Sequence, residues 1–338
     1  MNSQNSIRMG VAALIASFGL ASSVCAQETI NKQISIYAAG TAGGGIDLFG
    51  RLLGRHIGNH IAGNPSVVVQ VMPGAGGIRA ATFMSDTAPK DGTALATFGG
   101  GTILDPLVSP RDPTYDMSKF TWVGAISKDV SVCMAWGKSG FNNLDDVRKR
   151  EMIVAGTGAG SETDTLPIVM NELLGTKFKV ITGYLGSQQT ILAIEGGEVH
   201  GRCGFSLSSI KSTKLDWIRD KKINILLQMA VEKSAELPDV PFVFDLVSKP
   251  EDKQLLQLVL GPTGMSRAFA GPPNMAPGKT ELLRRAFDAT MKDPAFLAEA
   301  KMMQAEVNPT TGEGVQALVQ TIYATPKPVV ERAKKFLN

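Results

Sequence analysis

Cysteine is scarce in this chain. Cys25, Cys133 and Cys203 are the only three in 338 residues, too few for a disulfide framework. Histidine is as rare, with His56, His60 and His200 alone. His56 and His60 stand four apart on one helical face, but no Glu follows His56. The zinc-hydrolase spacing is therefore missing, and surface histidines with no metal site are the expectation. Neither sign of charge dominates: 34 basic against 31 acidic residues give a net charge of +3. Without clustered Lys and Arg there is no nucleic-acid footprint. Beyond residue 26 no run of about 20 apolar residues occurs, so no spanning helix is expected.

What is present begins at the N-terminus. Arg8 precedes the apolar run GVAALIASFGLASSV, which ends in Val24-Cys25-Ala26. Basic, apolar and small residues in that order predict a secretory signal peptide over 1–26, cleaved after Ala26. A lipid-bearing Cys25 would follow Val24, a poor fit to the small residue needed there. The mature chain is then periplasmic and carries only Cys133 and Cys203. One bridge between them and two separate buried thiols are both open readings.

Strand-like runs (QISIYAA, SVVVQVM, TALATF, MIVAG, FKVIT, INILLQM) alternate with helix-like segments, which predicts α/β lobes with mostly parallel sheets. Two stretches echo each other. AAGTAGGGIDLFGRLLG (38–54) and VAGTGAGSETDTLPIVMNELLG (154–175) both run from a strand through Ala-Gly-Thr and small residues to an Asp and a helix ending Leu-Leu-Gly. A helix N-terminus offers unpaired N–H groups and partial positive charge, and glycine lets a ligand reach them. Asp47 and Asp164 fall in the first turns, where capping alone and ligand contact are both open. A carboxylate aimed at a bound anion would repel it, so each is expected to turn inward or to meet a ligand hydroxyl or water. The stripe Ile46, Phe49, Leu52, Leu53 is read as core. PGAGG at 73–77 is read as a structural strand-to-helix turn.

Enzyme motifs fail on spacing. Ser161 stands where a dinucleotide fingerprint wants its third Gly, and no Gly-Lys-Ser/Thr closes either loop, so no nucleotide cofactor is expected. Gly204-Phe205-Ser206-Leu207-Ser208 starts a nucleophile elbow and lacks its closing Gly. Nothing in the sequence near Cys203 lowers a thiol pKa.

At this point the chain resembles a known family, the extracytoplasmic solute receptors of tripartite tricarboxylate transporters, also called Bug receptors. The likeness rests on AGGGIDLFGRLLGRHI, GNPSVVVQVMPGAGG, the Asp91-Gly92-Thr93 turn, GTGAGSETDT, ITGYLGSQQ, EGGEVHGRCG and LPDVPFV. It is closest to a branch with Gly-Gly-Gly-x-Asp in the first loop, where many members have Pro-Gly-Gly-Ser-Thr-Asp. The resemblance implies a two-lobe, type II-like periplasmic binding fold, with lobe one from 27–128 plus 230–338 and lobe two from 129–229. It implies a small organic acid (a di- or tricarboxylate, or an aromatic acid) held by backbone amides, hydroxyls and water. It also implies permease subunits in the membrane as partners, and a monomer. Carried onto this sequence, the grip falls on Thr41, Ala42, Gly43, Gly44, Gly45 and Asp47, and on Thr157, Gly158, Ala159, Gly160, Ser161, Thr163 and Asp164. Tyr184 and Ser206 follow as wall positions; a core or rim aromatic and a turn-capping hydroxyl are the other readings of these two. The loops hold no Arg, which favours backbone and water contacts over a guanidinium fork. A secreted hydrolase or transferase, and a sensory module reporting to a membrane kinase, are the rival functions.

Overall fold

The computed structural model describes residues 28–109, 112–158 and 160–337. The segment 1–26, Cys25 with it, and Ala159 lie outside the described residues.

Eleven strands form two sheets among the described residues. The first contains β1 (Ile34–Ala38), β2 (Val67–Val71), β3 (Ala94–Thr97), β4 (Thr121–Ser127), β10 (Ser266–Gly271) and β11 (Thr310–Thr311), in the order β11-β4-β10-β3-β1-β2. The second contains β5 (Ser131–Trp136), β6 (Met152–Ala155), β7 (Phe178–Ile181), β8 (Gly201–Ser206) and β9 (Ile223–Met229), in the order β7-β6-β8-β5-β9.

β1 pairs in parallel with β2 and β3, while β10 is antiparallel to both β3 and β4. Hence β1 to β4 share one direction, and β10 and β11 oppose it. In the second sheet β6, β7, β8 and β9 share a direction and β5 alone opposes it. The sheets are mostly parallel in direction, with one reversed strand set between the third and fourth forward strands of each. The echo read from the sequence is therefore a repeat of topology, since β1 and β6 hold equivalent places.

The reversed strands tie the halves together. β5 follows β4 after only 128–130, and β10 returns the chain after β9. The C-terminal helix Lys327–Leu337 packs on Pro250–Leu260, on Gly100–Val108 and on Glu162–Leu174, touching both halves.

Helices cover the sheets, which is why β3 and β4 read as nearly continuous apolar runs, buried almost throughout. Helix Gly45–His56 turns Phe49, Leu52 and Leu53 fully inward. Ile46, expected in that stripe, instead faces the cleft described below. It is the second residue of the helix. In the second half Trp217 is wholly buried, with Trp136 at 5.5 Å and Phe205 at 6.5 Å between ring centroids. A disulfide joins Cys133 on β5 to Cys203 on β8, neighbouring antiparallel strands. No helix among the described residues is long and apolar enough to cross a membrane.

Candidate functional site

Parallel strands followed by helices place the helix N-termini along one crest of each sheet. Here the two crests face each other across a cleft of about 130 Å³. Helices Gly45–His56, Ile78–Asp86 and Gly100–Val108 approach it from the first sheet, and Glu162–Leu174 and Ser187–Glu195 from the second. Their N-cap residues are Gly44, Gly77, Gly99, Ser161 and Gly186, and all five line the cleft. None supplies a side-chain cap. The contrast is the short helix after β8, where Ser206 accepts a hydrogen bond from the Ser209 amide. Uncapped N-termini gathered on one volume make a positive field ready for an anion.

The halves meet closely around this cleft. Gln188 Nε2 donates to the Gly43 carbonyl at 2.7 Å. At Gly186 a Cβ would come within 2.5 Å of Thr41 Oγ1. At Gly45 it would run into Ser209, with Cβ–Cβ at 2.9 Å. The bare backbone thus lets the lobes touch each other as well as any ligand.

Of the residues expected to grip, Thr41, Gly44, Gly45, Thr157, Ser161, Thr163 and Ser206 line the cleft. Ala42, Gly43, Asp47, Gly158, Gly160, Asp164 and Tyr184 do not. Asp47 is buried, accepts from the Gly43 amide at 2.8 Å and pairs with Arg51. Asp164 accepts from the Gly158 amide at 3.0 Å and from Ser161 Oγ at 2.8 Å. Both acids brace their own loops, which keeps their charge away from the cleft. Thr163 joins the same network, accepting from the Thr157 amide at 2.9 Å.

Tyr184 Oη donates to Glu198, and burial followed by that carboxylate pushes its pKa up to about 12. Tyr184→Phe should therefore change ligand affinity by less than about twofold, as titration calorimetry would register.

The sequence reading missed several cleft residues. Gly74, Gly76 and Gly77 of the Pro73–Gly77 turn line it, as do Gly99, Gly100 and Gly101. Four charged residues also reach it: Asp129, Glu162, Arg202 and Arg267. The loops indeed hold no Arg, yet β8 and β10 deliver two. Arg267 Nη2 pairs with Asp129 at 3.2 Å and donates to Ser208 at 3.0 Å, to Ser209 at 2.7 Å and to Ser206. That fan joins β10 of the first sheet to the β8 crest of the second. Glu162 accepts from Ser131 Oγ at 2.8 Å, and burial raises its carboxyl pKa above the ordinary range. No histidine lines the cleft: His56 bonds Glu299, His60 bonds Asp293, and His200 accepts from the Ile153 amide. Ser206 therefore has no imidazole base beside it.

Two mixed α/β lobes clasping a shared cleft define a binding protein of the periplasmic receptor class. Residues 55–334 match the tripartite tricarboxylate transporter family receptor, TctC, and the chain belongs to that family of solute receptors. The match begins beyond the first Gly-rich loop. A curated relative, the UPF0065 protein in the gbd 5′ region of Cupriavidus necator, is 27% identical over 260 residues, 71% of this chain and 72% of that protein. Periplasmic binding protein BugD superposes with a TM-score of 0.71 at 21% identity, over 91% of this chain and 98% of that one. MatC (Rpa3494) from Rhodopseudomonas palustris, solved with bound malate, gives 0.69 at 18% identity, over 91% and 99%.

Proposed function

We propose that this receptor captures a small organic carboxylate in the cleft between its lobes and hands it unchanged to a membrane permease of the tripartite class. The carrying observation is the convergence of five uncapped helix N-termini on one volume. Low dielectric between closed lobes strengthens each charge-assisted hydrogen bond to an anion. The malate bound by MatC, a protein of the same fold, supports an organic acid as the cargo. In this reading 27–128 with 230–338 make one lobe and 129–229 the other, the segment 1–26 directs export to the periplasm, and the mature receptor works as a monomer.

The test is a panel of di- and tricarboxylates and aromatic acids added to the mature protein. A cognate acid at one hundred times its Kd should stabilise the fold by about 2.7 kcal/mol, read as a rise in Tm. Recovery of the acid unaltered is expected. Turnover of the acid would overturn the receptor reading, and a flat response across the panel would overturn the ligand class.

A further inference from the structure

The two cleft arginines are in different situations. Arg267 has a carboxylate partner, Asp129, and spends Nη2 on it and on three serines. Arg202 is equally buried, at 7% exposure, but no carboxylate among the described residues lies within salt-bridge distance of it. Its Nη1 donates to Thr190 Oγ1 at 2.8 Å and to Ser187 Oγ at 3.2 Å. Its Nε has no hydrogen-bond partner at all. The guanidinium carbon sits 4.2 Å from the Phe205 ring centroid, which fixes the plane of the fork.

A buried cation without a salt bridge is costly: burial pushes the Arg202 pKa down to about 10 against the opposing pull of the nearby Glu162 and Asp164 carboxylates. The neighbourhood carries a second orphan. Thr41 Oγ1, on the opposite lobe, is buried and unpartnered, and it stands against Gly186 at the head of helix Ser187–Glu195. That helix also supplies Ser187, which Arg202 touches. An idle guanidinium Nε, an idle hydroxyl and an uncapped helix N-terminus thus belong to residues that line the same cleft.

We infer that Arg202 is the specificity-determining anchor of the cleft, its Nε–Nη2 edge receiving one carboxylate of the ligand side-on while Thr41 donates to the same group. Arg267 is a structural link between the lobes and takes no part in recognition. This rests on the proposal that the cleft binds an organic acid. A carboxylate is selected over an amide or ester because only an anion offers two acceptor oxygens and offsets the buried positive charge.

The experiment uses the mature protein with succinate, malate, adipate and benzoate, each beside its primary amide, followed by thermal shift and calorimetry. Wild type should bind at least one acid and reject its amide. Arg202→Gln should weaken that acid by about 10- to 100-fold and lose most of the preference over the amide. Arg202→Lys, which keeps charge without the fork, should recover only part of the affinity. Thr41→Val should weaken the acid by about 3- to 10-fold with an unchanged ligand-free Tm, because no intramolecular bond is lost. It carries the test alone should Arg202→Gln not fold. Full affinity and full acid preference in Thr41→Val and in any folded Arg202 variant would overturn the anchor and leave the carboxylate receptor standing. Wild-type protein indifferent to all four acids would overturn both.

Discussion

Gly101→Val should leave each lobe folded and weaken ligand binding. A Cβ at that position would overlap the Gly160 carbonyl oxygen and lie 2.7 Å from the Glu162 amide nitrogen and 2.8 Å from the Ser161 carbonyl carbon. All three neighbours are backbone on the facing lobe, so no side-chain rotation relieves the clash. The lobes must then stand further apart, which separates the helix N-termini that face each other and admits water between them. Overpacking of this kind costs roughly 1–3 kcal/mol or more. If that cost is paid only on closure, affinity falls by about 5- to 150-fold. Gly264→Ala is the control, because its Cβ would meet nothing nearer than Val231 at 3.9 Å and does not line the cleft. Calorimetry on both variants, with circular dichroism to confirm folding, decides the matter. Wild-type affinity in Gly101→Val would mean that closure at this point is not part of binding.

The largest change in stability is expected from the cysteines. Cys133 and Cys203 are 70 residues apart in sequence, and a bridge across a loop of that length restricts the unfolded chain by about 4 kcal/mol in the loop-entropy account. A Cys133→Ser, Cys203→Ser double variant should lose a stability of that order, seen as an earlier midpoint in urea with an m-value that reports on the change in the unfolded state. Native mass spectrometry of the unreduced mature protein should show a mass two hydrogens below that of the dithiol. Two free thiols would rule the bridge out. Cys203 adjoins Arg202 on β8, so the double variant also asks whether the bridge helps to hold that strand in place. Affinity should fall together with stability if it does.

Much of the site could be read along the chain because its chemistry is local. A glycine run between a strand and an amphipathic helix is a helix N-terminus with its amides uncovered, and that signature was legible at 41–47 and 157–164. The same signature stands at FGGGTILDPLV, residues 98–108, and at Pro73–Gly77, whose glycines equally suit a structural turn. Gly-rich strand-to-helix junctions thus account for four of the five N-termini. The fifth, at Gly186, follows Gly-Tyr-Leu, so its two glycines are separated by bulky residues and no glycine run marks it.

The charged groups were beyond reach for a different reason. Arg202 and Arg267 lie 65 positions apart on strands of different sheets, and neither sits in one of the two echoing Gly-rich loops. Nothing in their local context separates them from surface arginines. Their burial, and the salt bridge that Asp129 makes with Arg267 but no carboxylate among the described residues makes with Arg202, arise only when β8 and β10 come to the same crest. Tyr184 shows the reverse case. Its place beside a loop made it look like a wall of the site, but the turn directs its hydroxyl to Glu198.

By itself the sequence determined the class of fold and the repeated strand-loop-helix device, since each depends on residues within about one helical turn or one strand of each other. The tertiary structure alone decided which glycines face the cleft and which pack lobe on lobe, which acids turn away, and which arginine is left without a salt bridge. Those are properties of contacts between segments distant in the chain, and pairing across a closed interface leaves no periodicity in the sequence from which it could be read.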